Sequence, residues 1–197
     1  MPKGDGGTPP SLGFFTVLEH EQLGLTGGYL LLNASGRPLE FHCTAPVKPN
    51  RAQQILFGPT LLPYLYGEQI GQTLLSKSSA SPLLVCTDSP LAFAVREHVS
   101  LPIALVLSPE SPRAQSAAVD PAAPLAAGQK WRVDAGHAHA GLNLFHWGRN
   151  QLAVDGDRQA DRDLIESRLG ALEPLDLAEP FARIREAIEE AQKGSRA

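Results

Sequence analysis

The chain holds two cysteines in 197 residues, which excludes a disulfide-dense scaffold and fits a reducing compartment. Neither disulfides nor metal are needed at this length, because such a chain buries roughly 70% of its unfolded surface on folding. Long apolar runs are missing. Runs such as those at residues 29–32 and 103–107 fall far short of the 18 or so residues of a membrane span. The apolar stretch at residues 13–18 is too short for a secretory signal and ends at Glu19, so a cytoplasmic protein is expected. Positive charge is not in excess either. The net charge is −4, which argues against nucleic acid as a partner bound through bulk charge. No GxGxxG or GxxxxGK[ST] phosphate loop, G-x-S-x-G elbow, C-x-x-C pair or H-E-x-x-H helix occurs. No residue set specifies a cofactor.

What the chain does have is punctuation, with 18 Gly and 17 Pro set among 43% hydrophobic and 19% charged residues, the balance of an ordered globular protein. Residues 1–12 read as a Gly/Pro-rich flexible tail, and 13–107 as an α/β core. Residues 108–130 hold four Pro, seven Ala and no aromatic, which marks a loop or linker. Residues 131–197 supply further strands and two helices, expected to pack on the same core.

Within the core, residues 14–18 form a short strand, and 29–33 with 39–43 form a hairpin. The connection Asn33-Ala34-Ser35-Gly36-Arg37-Pro38 supplies its turn, with Gly36 taking φ > 0. Alternation puts Leu39, Phe41 and Cys43 on one face of the return strand, and Glu40 with His42 on the other. Asn50 caps a helix over 51–57 that stops at Gly58-Pro59, and a second helix runs from Thr60 to about Lys77. Its apolar stripe is Leu62, Tyr66, Ile70 and Leu74, and Gly67 with Gly71 leaves room for another backbone.

Residues 83–87 and 103–107 are apolar runs of strand length, joined by a helix that starts at Asp88-Ser89-Pro90. This spacing suits a parallel βαβ crossover. Strands at 131–133 and 142–147 follow, then helices over 157–169, with Leu164, Ile165 and Leu169 inward, and from Asp176, with Phe181, Ile184, Ile188 and Ala191 inward. The predicted class is α/β or α+β: a mixed sheet from an N-terminal hairpin plus a βαβ unit, helices packed on it, and a C-terminal helix pair. The two terminal helices carry the acidity. Residues 155–190 sum to −6 and the rest of the chain to +2, which suggests solvated faces laced by pairs such as Arg158–Asp161 and Arg185–Glu189.

Four groups of residues could carry chemistry. Thr87, Asp88 and Ser89 follow a parallel strand and precede a helix, where free N–H groups favour a ligand and Asp88 could act as a base. The commoner role of Asp-Ser-Pro is simply to start a helix. His137, His139 and His146 have the spacing of a three-imidazole metal set on two strands, against surface histidines as the plainer explanation. His42 and Cys43 point to opposite faces and so cannot form a nucleophile–base couple, although His42 could serve the Asp88 crevice from a neighbouring strand. Cys43 and Cys86 sit in apolar runs, as core thiols do. Arg37, Lys48 and Arg51 group three cations at a helix start and could hold a small anion, while a rigid strand-to-helix connection accounts for the same prolines and charges.

The missing catalytic motifs point to a non-catalytic α/β binding or assembly module with a protein partner or a second copy of itself. The alternative is a small enzyme with a crevice site around Asp88, assisted by histidine or metal.

Overall fold

The structure, a computed structural model, describes residues 10–107, 141–170, 172 and 174–194. Strands β1 (Ser11–His20), β2 (Gly24–Asn33) and β3 (Pro38–Cys43) run antiparallel to one another. The β2–β3 turn uses Asn33, whose Oδ1 accepts from the Ser35 and Arg37 amides, and Gly36 at φ 75°. Strands β4 (Val85–Thr87) and β5 (Ile103–Leu107) lie parallel to β1, with Phe15 beside Thr87 and Thr87 beside Leu105. Strands β6 (Leu142–Trp147) and β7 (Asn150–Asp155) form a second antiparallel flank, and the sheet order is β3-β2-β1-β4-β5-β7-β6. This is an α/β fold on a seven-stranded mixed sheet.

Helices cover both faces, which is why the central strands are continuously apolar. On one face α3 (Gln159–Leu169) and α4 (Glu179–Gly194) enclose a core that includes Phe14, Leu30, Cys86, Ile165, Phe181 and Ile184. Phe14 and Phe181 meet edge to face with ring centroids 5.7 Å apart. On the other face lie a helix α2 (residues 61–75) and a 3-10 helix, Pro90–Glu97, over Phe15, Tyr29, Leu31 and Val85. The short α1 (Arg51–Phe57) has the expected Asn50 cap, closed into a capping box by Gln53, and it buries no residue.

Several details depart from expectation. Tyr64–Gln72, the middle of α2, is π-helical, closing i→i+5. An apolar stripe that repeats every four residues drifts by about 40° per repeat around an α-helix; the wider turn brings Tyr66, Ile70 and Leu74 back towards the sheet, and all three are buried. Gly67 and Gly71 do admit a neighbour, the 3-10 helix: a Cβ on Gly67 would meet the Ala94 backbone at 2.8 Å, and one on Gly71 the Val95 side chain at 2.6 Å. Strand β7 was not anticipated, and neither was the ten-residue reach of the β1–β2 hairpin. Leu164 and Ala191 face solvent, while Asp161 is buried. Cys86 is buried and burial pushes its thiol pKa up, but Cys43 is exposed. The strand at 131–133 lies outside the described residues, as do His137 and His139. No helix of the described residues is long and apolar enough to cross a membrane.

Burial holds the phenols of Tyr29 and Tyr66 up at about 12, well above the ordinary tyrosine value. Each therefore adds stability that is complete below the unfolded value near 10 and is lost as pH rises through the folded value. We expect the unfolding free energy from urea titration to fall between pH 10 and pH 12, by on the order of 2 kcal/mol per tyrosine. Phenolate absorbance at 295 nm should rise in step with unfolding. Full tyrosinate absorbance from a still-folded protein at pH 11 would refute this.

Candidate functional site

From β1 the chain turns to β2 on one side of the sheet, and from β4 it crosses to β5 on the other. The carboxyl ends of β1 and β4 therefore border a switch point, the place where open α/β sheets form a crevice. β4 ends at Thr87, level with Phe15, while β1 continues to His20. The overhang and α4 enclose a cleft of about 440 Å³ lined by Thr16, Val17, Leu18, Glu19, His20, Thr26, Asp88, Ser89, Arg185, Glu189 and Gln192.

Asp88 stands at its centre with both carboxylate oxygens engaged. Oδ1 accepts from the Thr16 hydroxyl at 2.7 Å, and Oδ2 pairs with the Arg185 guanidinium. Gln192 Nε2 donates to Thr26 Oγ1 at 3.2 Å, fastening the end of α4 to β2. Ser89 is the extended residue before the 3-10 helix and makes no side-chain cap. The Thr87 hydroxyl is buried away from the cleft and accepts from the Ser89 amide at 3.2 Å.

The other predicted residues do not converge here. His42, Tyr29, Phe15 and Thr87 occupy one lateral row across β3, β2, β1 and β4. Three strand spacings, about 14 Å, and two buried rings thus separate His42 from the Asp88 turn. His42 pairs instead with Glu40 on its own strand at 3.3 Å. Hydrogen bonds from the backbone and side chain of Ser79 hold the Glu40 carboxyl below its usual range. Arg37 lies at one end of β2 and Lys48 near the other, where Val47 bridges Leu25 and Lys48 Nζ donates to the Gln22 carbonyl at 3.4 Å. Eight residues of strand, about 26 Å, keep them apart. Arg51 opens α1, where the capping box already takes up the Asn50 and Gln53 amides. His146 sits on β6, the edge strand opposite β3, and among the described residues no group of three His, Cys, Asp or Glu fits a metal.

Thr16, His20, Arg185, Glu189 and Gln192 were not foreseen around Asp88. The one usable signal was that His20 ends a strand whose neighbour ends at Thr87, one residue before Asp88; Arg185 and Gln192 arrive from about 100 residues away and left none. No protein-family model matches this sequence, and a search of the curated proteins returns no relative.

The second feature of the surface is the β3 edge. Leu39 is 48% exposed, Phe41 39%, and Cys43 is exposed beside them, on the α4 side of the sheet. α4 reaches over β1 and β2 and stops there, which is why this predicted row is open and not core. Among the described residues no strand pairs with the outer side of β3.

Proposed function

We propose that the protein is a non-catalytic α/β binding module that works through protein–protein contacts, with β3 as its contact strand. One observation carries this reading: an edge strand, unpaired among the described residues, that bears Leu39, Phe41 and Cys43 in a row open to solvent. Unpaired strand edges are ready templates for another chain, and soluble proteins blunt them when they have no partner. β3 carries no lysine, and its one proline and its register shift both lie at the start of the strand, leaving Glu40–Cys43 regular. The Gly67/Gly71 face supports no external contact, because the 3-10 helix fills it. A crevice enzyme built on Asp88 is the weaker reading, since Thr16 and Arg185 occupy the carboxylate a base would use.

A photo-crosslinking amino acid placed at Phe41 in expressing cells should give a discrete protein adduct, and the same group at Glu190, exposed on α4, should not. No adduct at Phe41 above that control overturns the reading.

A further inference from the structure

We propose that the occupant of β3 is a second copy of the chain, joined by antiparallel pairing of the two β3 strands about a dyad at Phe41. The inference rests on the reading of β3 as a contact strand and names what docks there.

The backbone fixes which groups are free. The Thr44 amide donates to the Gly27 carbonyl at 3.0 Å, so Thr44 and, by alternation, His42 and Glu40 direct their N–H and C=O groups to β2. Phe41 and Cys43 direct theirs outward, and Leu39 stands at the one-residue register shift opposite Leu31 and Leu32, where the regular ladder ends. Any strand added to this edge must match those residues, so two copies can meet only in registers that pair odd positions with odd positions.

Three such registers are centred near the middle of the strand. A dyad at Glu40 sets Glu40 against its own copy, and a dyad at His42 does the same to His42. A dyad at Phe41 places Glu40 opposite the second copy's His42, twice. It also pairs Phe41 with Phe41, so the outward backbone groups at the centre of the strand find partners, and it sets Leu39 opposite Cys43. A carboxylate facing an imidazole can hydrogen-bond across a strand pair, whereas two facing carboxylates repel. Glu40 and His42 keep 18% and 30% of their side-chain surface exposed on the α2 side, where Glu40 also accepts from Ser79 and pairs with its own His42, so the facing pairs extend an existing cluster. On the other side the Leu39, Phe41 and Cys43 rows of two copies form one apolar strip beside the two α4 helices. The strand is thus self-complementary in its Glu40–His42 pairs, its Phe41 backbone and its apolar surface at this register, as a twofold contact requires.

Sedimentation of the full chain at high micromolar concentration should give twice its 21.1 kDa. Phe41→Pro deletes an outward N–H that β2 does not use, so it should give a folded monomer by circular dichroism. Glu40→Lys should weaken dimerisation at least tenfold, and adding His42→Glu should restore it by swapping the facing charges. Leu39→Cys sets a thiol opposite the second copy's Cys43 at a Cα separation of about 5.5 Å, within disulfide range. Mild oxidation should therefore cross-link that variant into a dimer and leave the native chain uncross-linked. A native chain that sediments as a monomer, a dimer that survives Phe41→Pro, or no cross-link in Leu39→Cys overturns the proposal. A monomer that still gives a Phe41 adduct of foreign mass overturns only the second copy as occupant, and the contact-strand reading stands.

Discussion

Replacing Asp161 by alanine should lower the unfolding free energy by about 3–5 kcal/mol, because it strands a largely buried guanidinium. Arg96 Nε and Nη2 donate to the two oxygens of Asp161 at 2.8 and 3.0 Å, and Nη1 donates to the Val99 carbonyl at 2.7 Å. Only 20% of the arginine side chain and 9% of the aspartate side chain remain exposed. The Asp161 carboxylate also raises the Arg96 pKa, so the cation is never relieved by deprotonation. The 3-10 helix that carries Arg96 and the helix α3 that carries Asp161 belong to opposite layers of the sheet, so the pair clasps the two layers together. Urea unfolding checks the size of the effect. Pairing Asp161→Leu with Arg96→Met removes both charges and should recover most of the loss, whereas Asp161→Ala alone should not. A loss under about 1 kcal/mol would mean that water screens the pair as it does surface bridges.

That clasp also marks the boundary of what the sequence discloses. The hairpin turn at Asn33–Pro38, the capping box at Asn50 and Gln53 and the crossover at Asp88-Ser89-Pro90 were all legible, since each signal lies within a few residues of the structure it sets. Partners chosen by the tertiary fold were not. Helical spacing pairs Asp161 with Arg158 and Arg185 with Glu189, but the folded chain gives Asp161 to Arg96 and Arg185 to Asp88, 65 and 97 residues away. Helix-surface pairs are worth only a few tenths of a kcal/mol, so a better-buried partner displaces them. The same holds for the Leu39, Phe41 and Cys43 row. Alternation correctly puts the three on one face, but whether a helix covers that face depends on how far α4 extends across the sheet. The π-helical middle of α2 escapes for a different reason: its stripe reads as α-helical, and only the sheet's demand for Tyr66, Ile70 and Leu74 together selects the wider turn.

Gly27→Val and Gly28→Val should each cost about 2–3 kcal/mol, at the upper end of what an overfilled core loses. These consecutive residues of β2 face opposite layers, and each is the point where a helix rests flush on the strand. A Cβ on Gly27 would run into Ile70 Cγ2 and come within 2.9 Å of Leu74 Cδ1, both on α2. A Cβ on Gly28 would run into Ile184 Cγ2 and come within 2.8 Å of Ile188 Cδ1, both on α4. Gly28 sits level with Cys43 on one side and Thr16 on the other, in the middle of the three-strand flank, so β2 cannot retreat without breaking two ladders. The packed isoleucine and leucine side chains, or the helix behind them, must shift in either case. Because the two faces share no partner side chain, the double variant should lose close to the sum of the two, about 5 kcal/mol, a large part of a typical domain's stability. Amide exchange tells the layers apart: Gly28→Val should speed exchange in α4 and loosen the Arg185–Asp88 closure of the cleft, while Gly27→Val should speed exchange in α2 and spare α4. A Gly28→Val protein with native urea midpoint and native α4 protection would show that α4 does not bear on β2 as closely as these contacts require.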